Sequence, residues 1–113
     1  MNTAAREKLA RARARLDTLD LYPQPVRMRR VRLVSAPWLF RLPWLRRFDG
    51  YTMWDLILVR APVADATDDL VTHELCHVWQ MQHHPLRVFR AWLTEEYERN
   101  PYEVEARRAV ELT

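Results

Sequence analysis

The residues most able to do chemistry are five consecutive ones, His73-Glu74-Leu75-Cys76-His77, which follow the pattern H-E-x-x-H. On an α-helix, residues four apart differ by about 40° around the axis, so both imidazoles leave the same face one turn apart. That separation suits two ligands of one tetrahedral zinc ion. Glu74 lies next to His73, where it would take a proton from a water molecule whose pKa zinc lowers to about 7. The spacing therefore predicts a Zn2+ cofactor on His73 and His77, with Glu74 as general base.

Chance is a weak explanation of this motif. With four histidines and eight glutamates in 113 residues, a chance match is roughly a 1% event when residue frequencies are independent. The competing interpretation is a pair of partly buried structural histidines on one helix.

A zinc ion needs a third protein ligand, and two candidates follow the motif directly. His83 comes six residues after His77, the spacing of metzincins, but Gln80 occupies the position where that motif needs Gly for a sharp turn. On a continuous helix His83 would lie about 240° from His77. Glu96 follows after eighteen intervening residues, a gap that some gluzincins use, although a solvated acidic face also explains its surroundings.

The third candidate region is 100–106, which reads N-P-Y-E-V-E-A and opens the last predicted helix. It offers two carboxylates, Glu103 and Glu105. Glu103 stands three residues after Asn100, where a capping interaction is the alternative role. The apolar face of this helix lies nearer Glu105, so helical geometry alone leaves the choice open.

The segment Leu70 to Gln80, L-V-T-H-E-L-C-H-V-W-Q, resembles the active-site helix of gluzincin-type zincin metallopeptidases. With the later N-P-x-E-x-E-A motif, it is similar to small zincin-like domains that carry H-E-L-x-H-V-x-Q. In related zincins the Glu three before the Ala is the zinc ligand. The resemblance thus implies Glu103 as third ligand, with Glu105 as the alternate.

The resemblance has two further implications. It implies a peptide or protein substrate, aligned by an edge strand for which the apolar run Leu56 to Val59 is the candidate. It also draws attention to Arg107, which stands where the family has an Asp that supports a ligand His.

Several other side chains have candidate roles. Tyr97 and Tyr102 are candidate hydrogen-bond donors to the transition state, since zincins often need an electrophile besides zinc; packing is the alternative for each. Cys76 is expected to be a small buried hydrophobe. Three aromatic residues are expected in the core rather than in a substrate groove: Trp38, Phe40 and Trp44.

The elements that must position these residues form an α+β pattern. An apolar stripe at three-, four- and seven-residue spacing predicts a helix over residues 3–20 within an N-terminal segment 1–25. The predicted fold is a minimal zincin-like domain, a small sheet packed on an active-site helix plus further helices. The strand region at 26–60 contains strands at 26–34 and 51–60, a loop or short helix at 37–48 and a turn at Asp49-Gly50. An active-site helix at 66–82 and C-terminal helices at 85–112 follow it.

Composition limits the other function classes. The 113 residues are expected to form one domain, 1–113, and 49% apolar residues with one Gly favour a folded, helix-rich chain. The lone Cys76 fits a reducing cytoplasm. No run of about 18 apolar residues exists, so no membrane span is expected.

Charge bears on the choice of partner. The net charge is +3, and residues 26–48 hold seven arginines and no acid. A nucleic-acid partner is not expected, because no nucleic-acid motif accompanies this charge. The alternative to an enzyme is a non-catalytic zinc-binding module that engages a protein or nucleic-acid partner through this Arg-rich region. The oligomeric state is left open.

Overall fold

The protein has four helices and one three-stranded sheet, and a computed structural model describes all residues 1–113. The predicted α+β class is confirmed. Three short 3-10 helices, at Leu39–Arg41, Val63–Asp65 and Tyr97–Arg99, join the larger elements. In chain order the larger elements are α1 (Thr3–Leu16), β1 (Arg32–Ser35), β2 (Gly50–Met53), β3 (Leu56–Val59), α2 (Asp68–His83), α3 (Pro85–Thr94) and α4 (Pro101–Leu112).

The sheet has the order β1-β3-β2, with β3 in the centre, parallel to β1 and antiparallel to β2. The predicted single strand 51–60 is therefore a hairpin of two strands. Met53 pairs with Leu56 across the two-residue loop Trp54-Asp55, and Trp54 has a φ of 59°. The turn predicted at Asp49-Gly50 is wrong, because Gly50 already pairs with Val59 in β2.

The apolar run Leu56–Val59 is the central strand, not an edge strand. Because β1 and β2 flank this strand on both sides, Ile57, Leu58 and Val59 are all buried. The edge beside the active-site helix is β2. The prediction that Leu56–Val59 forms the edge strand is therefore wrong. A strand in the centre of the sheet is buried, and burial accounts for the same continuous apolar sequence.

The strand predicted at 26–34 forms only as Arg32–Ser35. Before it, the amide of Val31 donates to the carbonyl of Met28 at 3.1 Å, so the chain turns there instead of extending. Residues 26–31 are held by other contacts, including those of Gln82, whose amide side chain bonds both the N–H and the C=O of Arg27 at 2.8 and 2.9 Å.

Helix α1 ends at Leu16, four residues before the predicted end, because the chain leaves the helix at Asp17 and Thr18 bonds back to the carbonyl of Arg15 at 2.7 Å. Its predicted apolar stripe is buried against α2 and the sheet. This packing makes α1 a part of the core. The buried stripe consists of Ala5, Leu9, Ala12 and Leu16.

Helix α2 runs through the middle of the domain, between α1, α4 and β2. Thr67 caps it by accepting the Leu70 amide at 3.1 Å, and Asp68 and Asp69 lie in its first turn, where the helix dipole favours negative charge. The predicted bounds 66–82 thus shift to 68–83. No helix in the structure has the length and apolar character needed to cross a bilayer.

Of the three aromatic residues expected in the core, only Phe40 is buried. It packs in a small second cluster with Ala36, Leu45 and Leu58. Trp38 and Trp44 are largely exposed, and this expectation was wrong for both. The 3-10 helix at Leu39–Arg41 accounts for the difference, because it turns Phe40 inward and leaves both tryptophans outside.

Candidate metal centre

Three side chains from two helices converge on one point. The Nε2 atoms of His73 and His77 lie 3.2 Å apart. Glu103 places Oε2 at 3.1 Å from Nε2 of His73 and Oε1 at 2.7 Å from Nε2 of His77. The three candidate ligand atoms all lie within 4.8 Å of one another. Two imidazole nitrogens and one carboxylate oxygen are the protein donor set of many catalytic zinc sites.

The local sequence explains why α4 delivers Glu103 to the histidines. Asn100 caps α4 by accepting the Tyr102 amide at 2.9 Å, and Pro101 occupies the first helical position. Glu103 thus lies in the first turn, close to α2. The capping role considered for Glu103 is not seen: the Asn100 amide donates to the Glu96 carbonyl at 2.8 Å, and the Glu103 carboxylate faces the histidines.

In this cluster the carboxylate of Glu103 is ion-paired with the imidazoles of His73 and His77. Burial alone would raise the pKa of Glu103, but hydrogen bonds from His73 and His77 and their charge outweigh it and hold the pKa of that carboxyl well below its usual range. Burial alone would likewise lower the pKa of His77, yet the Glu103 hydrogen bond and the charges of Glu74 and Glu103 raise it to about 9. A divalent cation would take the place of the shared proton, because metal ligands must be deprotonated.

Glu74 lies beside this cluster and is itself buried. Its Oε1 lies 2.8 Å from the hydroxyl of Thr52 on β2, and that hydroxyl is also 3.0 Å from the Glu74 carbonyl. Burial raises the pKa of Glu74, against the opposing influence of the two histidines and Thr52. A raised pKa makes a carboxylate a stronger base, which favours its acceptance of a proton in a reaction.

Gly50 marks the closest approach of β2 to α2. A Cβ built at this position would lie 3.1 Å from Cδ1 of Leu70 and 3.2 Å from both Cγ and Oε2 of Glu74. A side chain at position 50 would therefore press on the general-base candidate. The one Gly of the chain is thus placed where the site needs the strand backbone close to the helix.

His77 is oriented by a hydrogen-bond relay that the sequence did not reveal. Its Nδ1 lies 2.7 Å from Oε1 of Gln80. Nε2 of Gln80 donates to the carbonyl of Tyr102 at 2.9 Å and to Oε1 of Glu105 at 3.0 Å. The hydroxyl of Tyr22 donates to that same carboxylate oxygen. Because Gln80 is fully buried, this chain fixes which nitrogen of His77 faces the cluster.

Glu105 therefore supports the site from outside and is not a member of the ligand cluster. In the sequence, Gln80 departs from the Gly of the metzincin motif and is the last residue of H-E-L-x-H-V-x-Q. An amide three residues after a candidate ligand His lies beside it on the helix, and a buried amide there requires a partner. Arg107 does not take over the family's supporting role, since its guanidinium donates to the Glu98 carbonyl at 2.7 Å.

The other candidate ligands lie elsewhere. Nδ1 of His83 is 3.0 Å from the carbonyl of Trp79, and the His83 ring stacks on Tyr22 with centroids 5.0 Å apart. The side chain of Glu96 is 80% exposed and lies 3.9 Å from Nε of Arg99. Cys76 is buried, as expected.

A cleft of 290 Å³ opens beside Glu74, His77 and Glu103. Tyr97 lines it, and burial together with the charge of Glu103 raises the pKa of its phenol, so the hydroxyl keeps its proton for donation. Tyr102 is not among the lining residues. Its backbone carbonyl instead accepts from Gln80. The rest of the wall consists of Trp44, Leu45, Arg47, Phe48, Gly50, Tyr51, Thr52, Trp92, Glu95 and Asn100.

Aromatic contacts hold this wall together. Phe48 lies 4.8 Å from Tyr97 between ring centroids, and Tyr51 lies 5.3 Å from Trp92. The guanidinium of Arg47 covers the rings of Phe48 and Tyr97 at 4.8 and 5.0 Å. The cleft wall is therefore mixed, with aromatic rings beside the His and Glu cluster and with further polar groups at Arg47, Glu95 and Asn100.

Compared with protein-family models, curated proteins and solved structures, the chain has no match.

Proposed function

We propose that this protein is a zinc-dependent hydrolase, a small metallopeptidase of the zincin type. The observation that carries the proposal is the convergence of Nε2 of His73, Nε2 of His77 and the carboxylate of Glu103 beside the buried carboxylate of Glu74. The donor set fits zinc, and three protein ligands leave the fourth position of a tetrahedral ion open for chemistry.

When bound, zinc would lower the pKa of water and polarise a scissile carbonyl. Four side chains of the protein then have proposed roles in the reaction. Glu74 takes the proton of the attacking water and passes it to the leaving amine. Tyr97 donates a hydrogen bond to the oxygen on which negative charge develops. Gln80, fixed by Glu105, keeps the His77 ring in its orientation.

A peptide or protein segment is the proposed substrate. Strand β2 pairs only with β3, so its outer edge has free backbone groups, and Gly50, Tyr51 and Thr52 of β2 line the cleft. An extended peptide could add to this edge by main-chain hydrogen bonds. The buried free thiol of Cys76 fits the reducing cytoplasm in which we place the protein.

Metal content and turnover together test the proposal. The purified protein should contain one zinc ion per chain by elemental analysis, and a His77→Ala variant should contain none. Glu74→Gln should retain zinc and lose peptide hydrolysis by about 100-fold or more, as expected for loss of a general base. Glu95→Gln is the matched control, because Glu95 lines the same cleft but does not belong to the cluster. Equal hydrolysis by the Glu74→Gln variant and the parent would contradict the mechanism.

A zinc-holding module without turnover is the second candidate. It is favoured by the size of the cleft, because 290 Å³ lies at the lower end of ligand pockets, which span about 300–1,000 Å³. A hydroxamate separates the two: binding to the zinc-loaded protein, with peptide hydrolysis that it inhibits, supports the enzyme. Zinc at full occupancy without hydroxamate binding or hydrolysis supports the module.

A further inference from the structure

An apolar face without a partner lies on the outer side of α3. Leu86 is 84% exposed, Phe89 56% and Leu93 73%. On a helix these three positions lie within about 60° of one another around the axis. The inner side of α3, formed by Val88 and Ala91, is buried. This helix is therefore apolar on both sides, and its outer side covers nothing in the structure.

The hairpin loop lies near the start of α3 and carries another exposed apolar residue. Trp54, at the first loop position between β2 and β3, is 60% exposed. It lines one shallow groove together with Pro85, the first residue of α3. We call this surface, formed by Trp54, Leu86, Phe89 and Leu93, the α3 face.

Positive charge lies on the α3 face and beside the end of it that begins at Trp54. Arg87 and Arg90 are exposed on α3 itself, and α3 contains no acidic residue. Arg27, Arg29 and Arg30 line the shallow groove beside Trp54 and Pro85. None of these five arginines forms a salt bridge.

Few acidic groups balance this charge. The nearest acid in the groove is Asp55, whose Oδ1 accepts from Gln82 at 3.3 Å. Beyond the end of α3, Glu96 lies 3.9 Å from Arg99, and Glu95 lines the cleft. The side of the α3 face that begins at Trp54 is therefore strongly cationic.

We infer that the α3 face binds the surface of an anionic lipid bilayer. Exposed leucine and phenylalanine side chains can enter the acyl boundary, while tryptophan favours the headgroup level. Arginines at the rim can bond lipid phosphates bidentately. Apolar side chains flanked on one side by unpaired cations are complementary to such a surface in both polarity and charge.

Other occupants fit these observations less well. Nucleic acid would use the arginines and Trp54, but it has no counterpart for exposed Leu86 and Leu93. A second copy of the chain, bound by the same face, would bring the arginines of both copies together.

The position of the face links it to the cleft. Trp92 on α3 and Trp44 both line the cleft, and Trp44 is largely exposed at its mouth. The helix that carries the α3 face thus also contributes a residue to the cleft wall. The inference goes beyond the proposed function and does not depend on zinc.

Vesicle cosedimentation tests the inference with the full chain. The protein should bind vesicles of phosphatidylcholine mixed with phosphatidylglycerol and should leave pure phosphatidylcholine vesicles unbound. Arg87→Gln combined with Arg90→Gln should weaken binding by about five-fold for each arginine removed, and added salt should weaken the parent similarly. Leu86→Gln combined with Leu93→Gln should remove binding.

Matched controls use exposed residues of other helices. Arg6→Gln combined with Arg108→Gln changes the net charge by the same amount on α1 and α4, and Val104→Gln combined with Leu112→Gln replaces exposed apolar residues of α4. These variants should bind vesicles like the parent, and circular dichroism should show every variant folded.

Three results would overturn the inference. One is no binding to anionic vesicles, or equal loss of binding in the controls. Another is self-association in sedimentation velocity that the Leu86/Leu93 variant abolishes, with vesicle binding absent. The third is salt-dependent binding to single-stranded DNA without any to vesicles. None of these measurements depends on zinc content or turnover, so failure here and failure of the proposed hydrolase are separate results.

Discussion

Gly50 lies directly against Glu74, so that a Cβ at position 50 would be 3.2 Å from Oε2 of that carboxylate. Strand β2 and helix α2 thus approach each other at the one position where the chain has no side chain. The contact fixes how far the Glu74 carboxylate can move toward the sheet, and it makes Gly50 a sensitive probe of the site.

Gly50→Ala should slow peptide hydrolysis while leaving zinc in place. The added methyl must displace the Glu74 side chain by a few tenths of an ångström. Because misplacement of a reacting group by about 1 Å can cost on the order of 100-fold in rate, this smaller shift should cost roughly several-fold. Steady-state kinetics should show the loss in kcat, with zinc content equal to that of the parent. Asp49→Ala, at the exposed neighbouring position, is the control; an equal loss in both variants would mean that the loop, not the contact with Glu74, is responsible.

Gln80→Leu should weaken zinc binding by about 10- to 100-fold, the usual effect of removing a group that orients a ligand His. The variant leaves Nδ1 of His77 without its partner at 2.7 Å. Competition titration with a chromogenic chelator measures the affinity. Gln82→Leu is the control on the same helix, because Gln82 bonds Arg27 and Asp55 away from the cluster. Unchanged affinity in the Gln80→Leu variant would show that the relay does not orient His77.

The two candidate glutamates of α4 should behave differently. Glu103→Gln should abolish stoichiometric zinc, since its carboxylate contacts both histidines. Glu105→Gln should keep one zinc ion per chain with an affinity reduced by about ten-fold, because Glu105 reaches His77 only through Gln80. Elemental analysis after dialysis distinguishes them. Zinc retained in the Glu103→Gln variant and absent in the Glu105→Gln variant would reverse the assignment.

Replacement of two buried threonines by Val should change the free energy of unfolding in opposite directions. The hydroxyl of Thr72 is buried without a hydrogen-bond partner, so Thr72→Val should raise the free energy of unfolding by about 1 kcal/mol. The hydroxyl of Thr52 bonds Glu74, so Thr52→Val should lower it by about 1–3 kcal/mol, because a buried carboxylate loses its partner. Urea unfolding of both variants measures the two changes. A loss of stability in the Thr72→Val variant would show that its hydroxyl has a partner after all.

The sequence was most informative where the determinants are local. The apolar stripe of α1 and the Asn100-Pro101 start of α4 depend on residues a few positions apart, and each predicts an element that the structure contains. The spacing of His73 and His77 likewise follows from one helical turn. These features need no knowledge of what packs against the helix.

The sequence was less informative where the structure depends on contacts between residues that are far apart in the chain. A continuous apolar run such as Leu56–Val59 is typical of a buried strand, but which strand forms the edge depends on pairing with β1 and β2. The hairpin turn at Trp54-Asp55 has no Gly or Asn to reveal it, although Trp54 has a positive φ. Helical periodicity placed Glu105 nearer the apolar face, and it does face inward, but toward Gln80 and Tyr22.

Tyr22 belongs to the segment that joins α1 to β1, which contains no regular element after Leu16 and before Arg32. Its hydroxyl nevertheless completes the relay through Glu105 and Gln80 to His77. Shortening or randomising this connector to build a smaller scaffold would therefore alter the surroundings of a candidate metal ligand some fifty positions along the chain, without any change to the H-E-x-x-H motif itself.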